Sequence, residues 1–273
     1  MTFLAGILLF IAAMLGGTLN SVAGGGSFIT VPALIFSSVP PIQANTTSTV
    51  ALWPGSVASI TAYRRELAKL NRVVILTLGI TSLIGGILGA ILLLSTSQST
   101  FLYLLPYLML VATLLFAFSP RITKLLRNRS ADSDNTEDSQ GIPDKESTLS
   151  WRSLSAISFI QLIIAVYGGY FGGGIGIMIL ASLGIMGMEN IHEMNGMKTV
   201  LQTSINGVAV ITFILARAVV WLPALVMIAG AIVGGYGGAY FARKLDPRAI
   251  RIFVILVGTG MTIYFFLRSI GIL

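Results

Sequence analysis

The sequence predicts an all-α polytopic membrane protein made of two inverted repeats, each of about five membrane segments with one glycine-broken helix pair. Three observations carry this. The chain of 273 residues is 55% hydrophobic and only 10% charged, with a mean hydropathy of +0.90, whereas a soluble domain carries about 25% charge. Its apolar runs are continuous rather than alternating, which suits helices and not a β-barrel. The same order of long and short apolar segments also occurs twice.

A helix needs about 17–25 apolar residues to span. The first such segment is Phe3 to Val22. No Lys or Arg precedes it and it has a counterpart later in the chain, so it reads as a permanent span rather than a signal peptide. "VAGGGSFITVP" then interrupts it with Gly24, Gly25 and Gly26 and, soon after, Pro32. Inside a helix glycine and proline cost about 1 and 3 kcal/mol relative to alanine, so a break is expected here. A short apolar segment follows, Phe28 to Phe36, and then Thr46 to Tyr63, Val73 to Leu94 and Phe101 to Phe118. Residues 1–118 thus form a first membrane repeat. Residues 119–152, with "RNRSADSDNTEDSQGIPDKES", have no apolar periodicity and read as a polar, mobile cytoplasmic linker. The pattern restarts in residues 153–273: Leu154 to Tyr170, a break at Gly172, Gly173 and Gly174, a short segment Ile175 to Met188, then Lys198 to Leu215, Leu222 to Ala242 and Ile252 to Leu267.

Local sequence supports a duplication. "AGGGS" at Ala23 matches "FGGGI" at Phe171, "ANTTSTV" at Ala44 matches "MNGMKTV" at Met194, "VASIT" at Val57 matches "VAVIT" at Val208, and "GGILGA" at Gly85 matches "GGYGGA" at Gly234. All four pairs lie about 150 residues apart. Basic residues set the orientation. In the first copy Arg64, Arg65, Lys69 and Arg72 fill the loop after the third segment, whereas in the second copy Arg243, Lys244, Arg248 and Arg251 fill the loop after the fourth. Lys and Arg mark cytoplasmic loops, so the copies sit upside down relative to each other, with both termini outside and Arg121, Lys124, Arg127 and Arg129 cytoplasmic. This requires the short segments to count as crossings; as re-entrant hairpins they would instead give parallel four-span halves.

Composition excludes several functions. With no cysteine and a single histidine, His192, the chain has no disulfide, thiolate, iron–sulfur or multi-histidine chemistry, and no metal or cofactor is expected. His192-Glu193 lacks the second histidine of a zincin, and the glycine runs lack the Lys-Ser/Thr ending of a nucleotide loop. The net charge of +7 is the ordinary balance of a membrane protein and does not imply nucleic acid.

Inverted repeats with interrupted helices suit secondary transporters, because a half-helix N-terminus near the bilayer midplane presents unpaired N–H groups to an anion. Glycine lets the backbone approach a ligand closely, so Gly24, Gly25, Gly26, Gly172, Gly173 and Gly174 are candidate substrate-binding positions; tight helix packing is the competing use of glycine. Tight packing is the expectation for Gly85, Gly86, Gly89, Gly234, Gly235 and Gly238. Polar residues within spans are expensive in lipid. Ser27, Asn45 and Thr46 cluster by the first break. Near the second, Asn195, Lys198 and Gln202 are spaced three and four apart on one helix face, and Asn206 extends the stripe. Lys198 supplies a positive field, pairs with Glu193 or snorkels from a helix end. His192 and Glu193 read as a solvated loop, with proton carriage by His192 as the alternative.

These residues resemble a known family. "GGGSFITVPALIFSSVPPIQANTTST" and "GGYFGGGIGIMILASLGIMGMENIHEMNGMKTVLQTSINGVAV" are similar to the repeated signature of the TauE/SafE sulfite-exporter permeases, including an Asn-x-x-Lys pair at Asn195 and Lys198. The resemblance covers nearly the whole chain apart from the linker. It implies a multi-pass bacterial inner-membrane permease for sulfur-containing or carboxylate anions such as sulfite or sulfonates. Two departures stand out: Pro32 faces Leu180 in the second copy, and the first copy has no basic residue matching Lys198. The expectation is an alternating-access anion permease, not an enzyme, with a small anion and the lipid bilayer as partners and no assigned oligomeric state. The alternative is a membrane scaffold or assembly subunit without transport of its own.

Overall fold

The computed structural model describes residues 2–134, 151–188, 190–241 and 247–269. Among them run eleven helices: α1 (Phe3–Ala23), α2 (Ser27–Phe36), α3 (Pro41–Ala62), α4 (Arg64–Leu67), α5 (Arg72–Ser95), α6 (Gln98–Asp134), α7 (Trp151–Tyr170), α8 (Ile175–Ile185), α9 (Ile191–Leu215), α10 (Trp221–Phe241) and α11 (Pro247–Ser269). The fold is all-α and polytopic. Five of these helices carry stretches long and apolar enough to cross a bilayer, within α1, α5, α6, α9 and α11.

Local chemistry sets the helix ends. Thr2 caps α1 by accepting from the Ala5 N–H, and Asn71 caps α5 by accepting from Val73 at 2.8 Å. Pro41 stands in the first turn of α3, where its missing N–H costs nothing. Asn190 caps α9, accepting from the N–H groups of His192 and Glu193. At both breaks the chain leaves the helix through a left-handed glycine. Gly24 (φ 74°) donates back to Leu19 and Asn20, and Gly172 (φ 78°) donates back to Tyr167. Only glycine takes such angles without a Cβ penalty.

The helix ends correct several sequence expectations. Helix α9 begins at Ile191, so His192 and Glu193 form its first turn rather than a loop, and Lys198 lies two turns inside. Helix α6 runs on through Asp134. Of the expected linker 119–152, residues 119–134 are therefore helical, 151 and 152 open α7, and 135–150 lie outside the described residues. Arg243 and Lys244 also lie outside them.

The packing repeats itself. Match α1, α2, α3, α5 and α6 with α7, α8, α9, α10 and α11. Helix α1 packs on α10 as α7 packs on α5; α3 packs on α10 as α9 packs on α5; α2 packs on α11 as α8 packs on α6. Helices α3 and α9 pack on each other, as do α6 and α11. Both of these matched pairs run antiparallel. Thr46 near the start of α3 bonds Ala218 just past α9, the Trp53 indole donates to Thr203 O at 3.1 Å, and Gly196 near the start of α9 lies beside Tyr63. Along α6 and α11, Tyr107 stacks edge-on with Phe266, whereas Thr113 lies beside Gly258.

Each short helix folds back along the long helix before it. Gly16 lies against Gly26 and Thr30, and the Ile175 side chain occupies the place of a Cβ at Gly168. Helix α2 has 10 residues and α8 has 11, about 15 Å of helix each, half the hydrocarbon thickness of about 30 Å.

Glycines set the closest helix contacts. A Cβ at Gly89 would strike Val166 O, and one at Gly234 would strike Met14 O. Thr18 then bonds Gly234 O across the α1–α10 contact at 2.9 Å. Small residues permit such approach in lipid, where apolar side chains gain nothing by leaving the acyl chains. The opposite face of α5, with Leu76, Ile80, Ile84, Leu88 and Ile91, is exposed, as a lipid-facing stripe must be.

Candidate functional site

The two breaks converge. A Cβ built on Gly24 would lie 3.8 Å from Gly176 Cα, in the first turn of α8, and 3.5 and 3.7 Å from Oε1 and Nε2 of Gln202. One turn further along α9, the Asn206 side-chain oxygen stands 3.9 Å from the Cβ position of Gly172. Helix α9 therefore carries one amide to each break, on the stripe that the three-and-four spacing predicts. Gln202 is 7% exposed, yet it has no hydrogen-bond partner among the described residues. A buried amide in that state retains its full capacity for a ligand.

Unpaired backbone donors stand at the start of α8, on the other side of Gly24. Among the described residues the N–H groups of Gly173, Gly174, Ile175 and Gly176 have no acceptor; the first bonds of α8 are Ile177 and Met178 donating to Gly174 O. At the start of α2 the N–H groups of Gly25, Gly26 and Ser27 are likewise unpaired, while Phe28 already donates to Gly25 O. Such a helix start carries roughly half a positive charge. Half-buried Lys198, one turn before Gln202 on the same face, has no ion pair or hydrogen bond among the described residues, so its pairing with Glu193 is not found there. Glu193 instead meets its own cap, accepting from the Asn190 amide at 3.4 Å.

Other expected site residues are occupied by the fold. The hydroxyl of Thr46, fully buried, bonds Ala218 O at 2.6 Å and Gln43 O at 3.1 Å, so its donor is spent on closing the α3–α9 contact. Asn45 donates to Tyr170 O at 2.9 Å, fastening α3 to the end of α7, and its Oδ1 is buried without a partner. Asn195 is half-buried, and its carbonyl accepts from the Thr199 hydroxyl at 2.8 Å. The space beside Gly25 is filled by the Phe116 ring and that beside Gly26 by Gly16 O and Leu52, while Phe171 covers Gly173 and Ala112 lies beside Gly174. These glycines therefore serve close packing on their Cα faces, whatever their N–H groups bind. Asn206 and Gly176 were not expected as ligand positions. Membership of the α9 stripe was the signal for the first, and the first turn of α8 for the second. Among the described residues no cluster of acidic or histidine side chains has the spacing to hold a metal.

Apolar spans, a duplicated packing pattern and broken helices that meet define a multi-pass membrane transport protein. The chain belongs to the TauE/SafE family: the profile described as "Sulfite exporter TauE/SafE" matches residues 9–265. It is 26% identical over 257 residues to the "Probable membrane transporter protein" of Haemophilus influenzae, covering 93% of this chain and 92% of that one. It is also 26% identical to the "Probable membrane transporter protein YfcA" of Escherichia coli K12 over 95% of this chain and 88% of the relative, and 22% identical to YunE of Bacillus subtilis over 92% and 95%. No solved structure matches it significantly.

Proposed function

We propose that this protein is a secondary permease of the bacterial inner membrane, not an enzyme, that moves small sulfur-containing or carboxylate anions, sulfite and sulfonates foremost, by alternating access. The observation that carries the proposal is that the unpaired Gln202 amide and the first turn of α8, with its open N–H groups, both approach Gly24. An anion at that point gains several backbone donors and a helix dipole without a buried counter-charge, while Lys198 adds a positive field from one turn away. The antiparallel running of α3 against α9 and of α6 against α11 favours an inverted duplication, the arrangement that gives two nearly isoenergetic states open to opposite sides. The family supports the substrate class: its description names sulfite. The bacterial relatives support the membrane. Purified protein in liposomes is expected to move radiolabelled sulfite or methanesulfonate down a gradient. Folded protein that moves no anion across a broad panel would remove the proposal.

A further inference from the structure

The two repeats contribute unequally to the site. Positions about 150 residues apart correspond in the duplication. Gly176 corresponds to Phe28, Lys198 to Ser48, Gln202 to Leu52 and Asn206 to Ser56. Every first-half member of these pairs is apolar or already hydrogen-bonded, although Leu52 and Ser56, with Asn20, line a small cavity between α1, α3 and α10. Phe28 is 1% exposed and packs edge-on against Phe116 with ring centroids 5.5 Å apart. Ser48 and Thr30 share a hydrogen bond of 2.6 Å. Leu52 is buried against Gly26, and Ser56 accepts from the Asn20 amide at 3.0 Å. The second-half members are open: Gly176 leaves its N–H without an acceptor, and Lys198, Gln202 and Asn206 have no partner among the described residues.

From this asymmetry we infer that the chain holds a single anion off the pseudo-two-fold axis, between Gly24 and the start of α8, with Gln202 and Asn206 as its specificity-determining side chains. The inference rests on the anion-permease reading. It assigns the recognition to two neutral amides and backbone N–H groups, which suit a small oxyanion with several acceptor oxygens and offer it no deep charge pair. Leu52 and Phe28 present no hydrogen-bond donor at the matching places, so the start of α2 offers its open N–H groups and the Ser27 hydroxyl but no amide in the place of Gln202.

The test is binding of radiolabelled sulfite, methanesulfonate and acetate to the purified full chain, followed by flux in liposomes. Wild type is expected to bind one anion per chain. Asn206→Asp and Gln202→Glu keep side-chain size and place a carboxylate against the anion; each is expected to weaken binding about ten-fold or more, with the unliganded melting temperature near wild type. Ser56→Ala, the matching change in the first half, should leave affinity within about two-fold. If either carboxylate variant fails to fold, Gln202→Leu with folding checked by gel filtration replaces it. Two equivalent anions per chain, or a loss with Ser56→Ala equal to that with Asn206→Asp, would overturn the one-sided site while leaving the permease reading standing. Unchanged binding in both carboxylate variants would overturn it as well. Absence of any anion binding or flux in wild type would instead remove the permease reading itself.

Discussion

Replacing Gly234 by alanine tests how the bundle is held together. The Cβ it adds would stand 2.6 Å from Met14 C and 2.7 Å from Met14 Cα, and closer still to Met14 O. Ordinary contact with such atoms begins at about 3.5 Å, so α1 and α10 must part by roughly 1 Å, because backbone cannot rotate aside as a side chain does. Overpacking of this kind costs about 1–3 kcal/mol. Separation also stretches the bond of 2.9 Å from Thr18 to Gly234 O, and interhelical bonds in membranes average about 0.6 kcal/mol. The total is about 2–3 kcal/mol, which lowers the melting temperature of the detergent-solubilised protein by several degrees. Gly79→Ala and Gly260→Ala are the controls, since a Cβ at either meets nothing within 4 Å. There the better helix propensity of alanine gains up to about 1 kcal/mol. Equal melting temperatures for Gly234→Ala and Gly79→Ala would refute the reasoning that glycine sets the α1–α10 distance.

Three further outcomes follow from particular contacts. Thr46→Val removes the hydroxyl from Ala218 O and is expected to lower stability by about 1–2 kcal/mol, while sulfite flux per folded molecule stays near wild type; a large flux loss in stable protein would return Thr46 to the binding site. Lys198→Met should keep the fold, as no partner is stranded among the described residues, and cut sulfite affinity several-fold, measured by radioligand binding; unchanged affinity would place the lysine outside the field of the anion. Gln161 is 1% exposed and bonds Ser82 at 2.8 Å, but its Oε1 has no partner. The double change Ser82→Ala with Gln161→Leu should therefore be nearly neutral in melting temperature, whereas Ser82→Ala alone, which strands the whole amide, should cost about 1–2 kcal/mol.

Hydropathy made the long spans and both breaks legible, because lipid tolerates only closed helices and each glycine run sits where an apolar helix stops. It misplaced helix starts wherever polar residues do structural work. Asn190 and Glu193 lower the local hydropathy ahead of Lys198, yet the Asn-x-x-Glu spacing is an N-cap signature, and α9 does start there. Pro41 likewise marked the start of α3 before its polar turns. The tail of α6 reads as linker because its charges break the apolar pattern, although Arg, Lys and Leu favour helix. The site divided differently. The stripe of Lys198, Gln202 and Asn206 follows from helical period alone. That Thr46 is tied to Ala218, that Phe116 fills the space at Gly25, and that Gln202 of one half faces Gly24 of the other depend on pairings between residues far apart in the sequence, which no local pattern encodes. Pro32 remains a buried proline within α2 for which the packing gives no reason.

The most direct measurement is a density map of the transport-competent protein in lipid nanodiscs, with and without saturating sulfite. The account predicts one new anion feature within hydrogen-bond distance of the Ile175 and Gly176 N–H groups and the Gln202 amide. Density at the start of α2, or no bound anion in protein that transports sulfite, would contradict it.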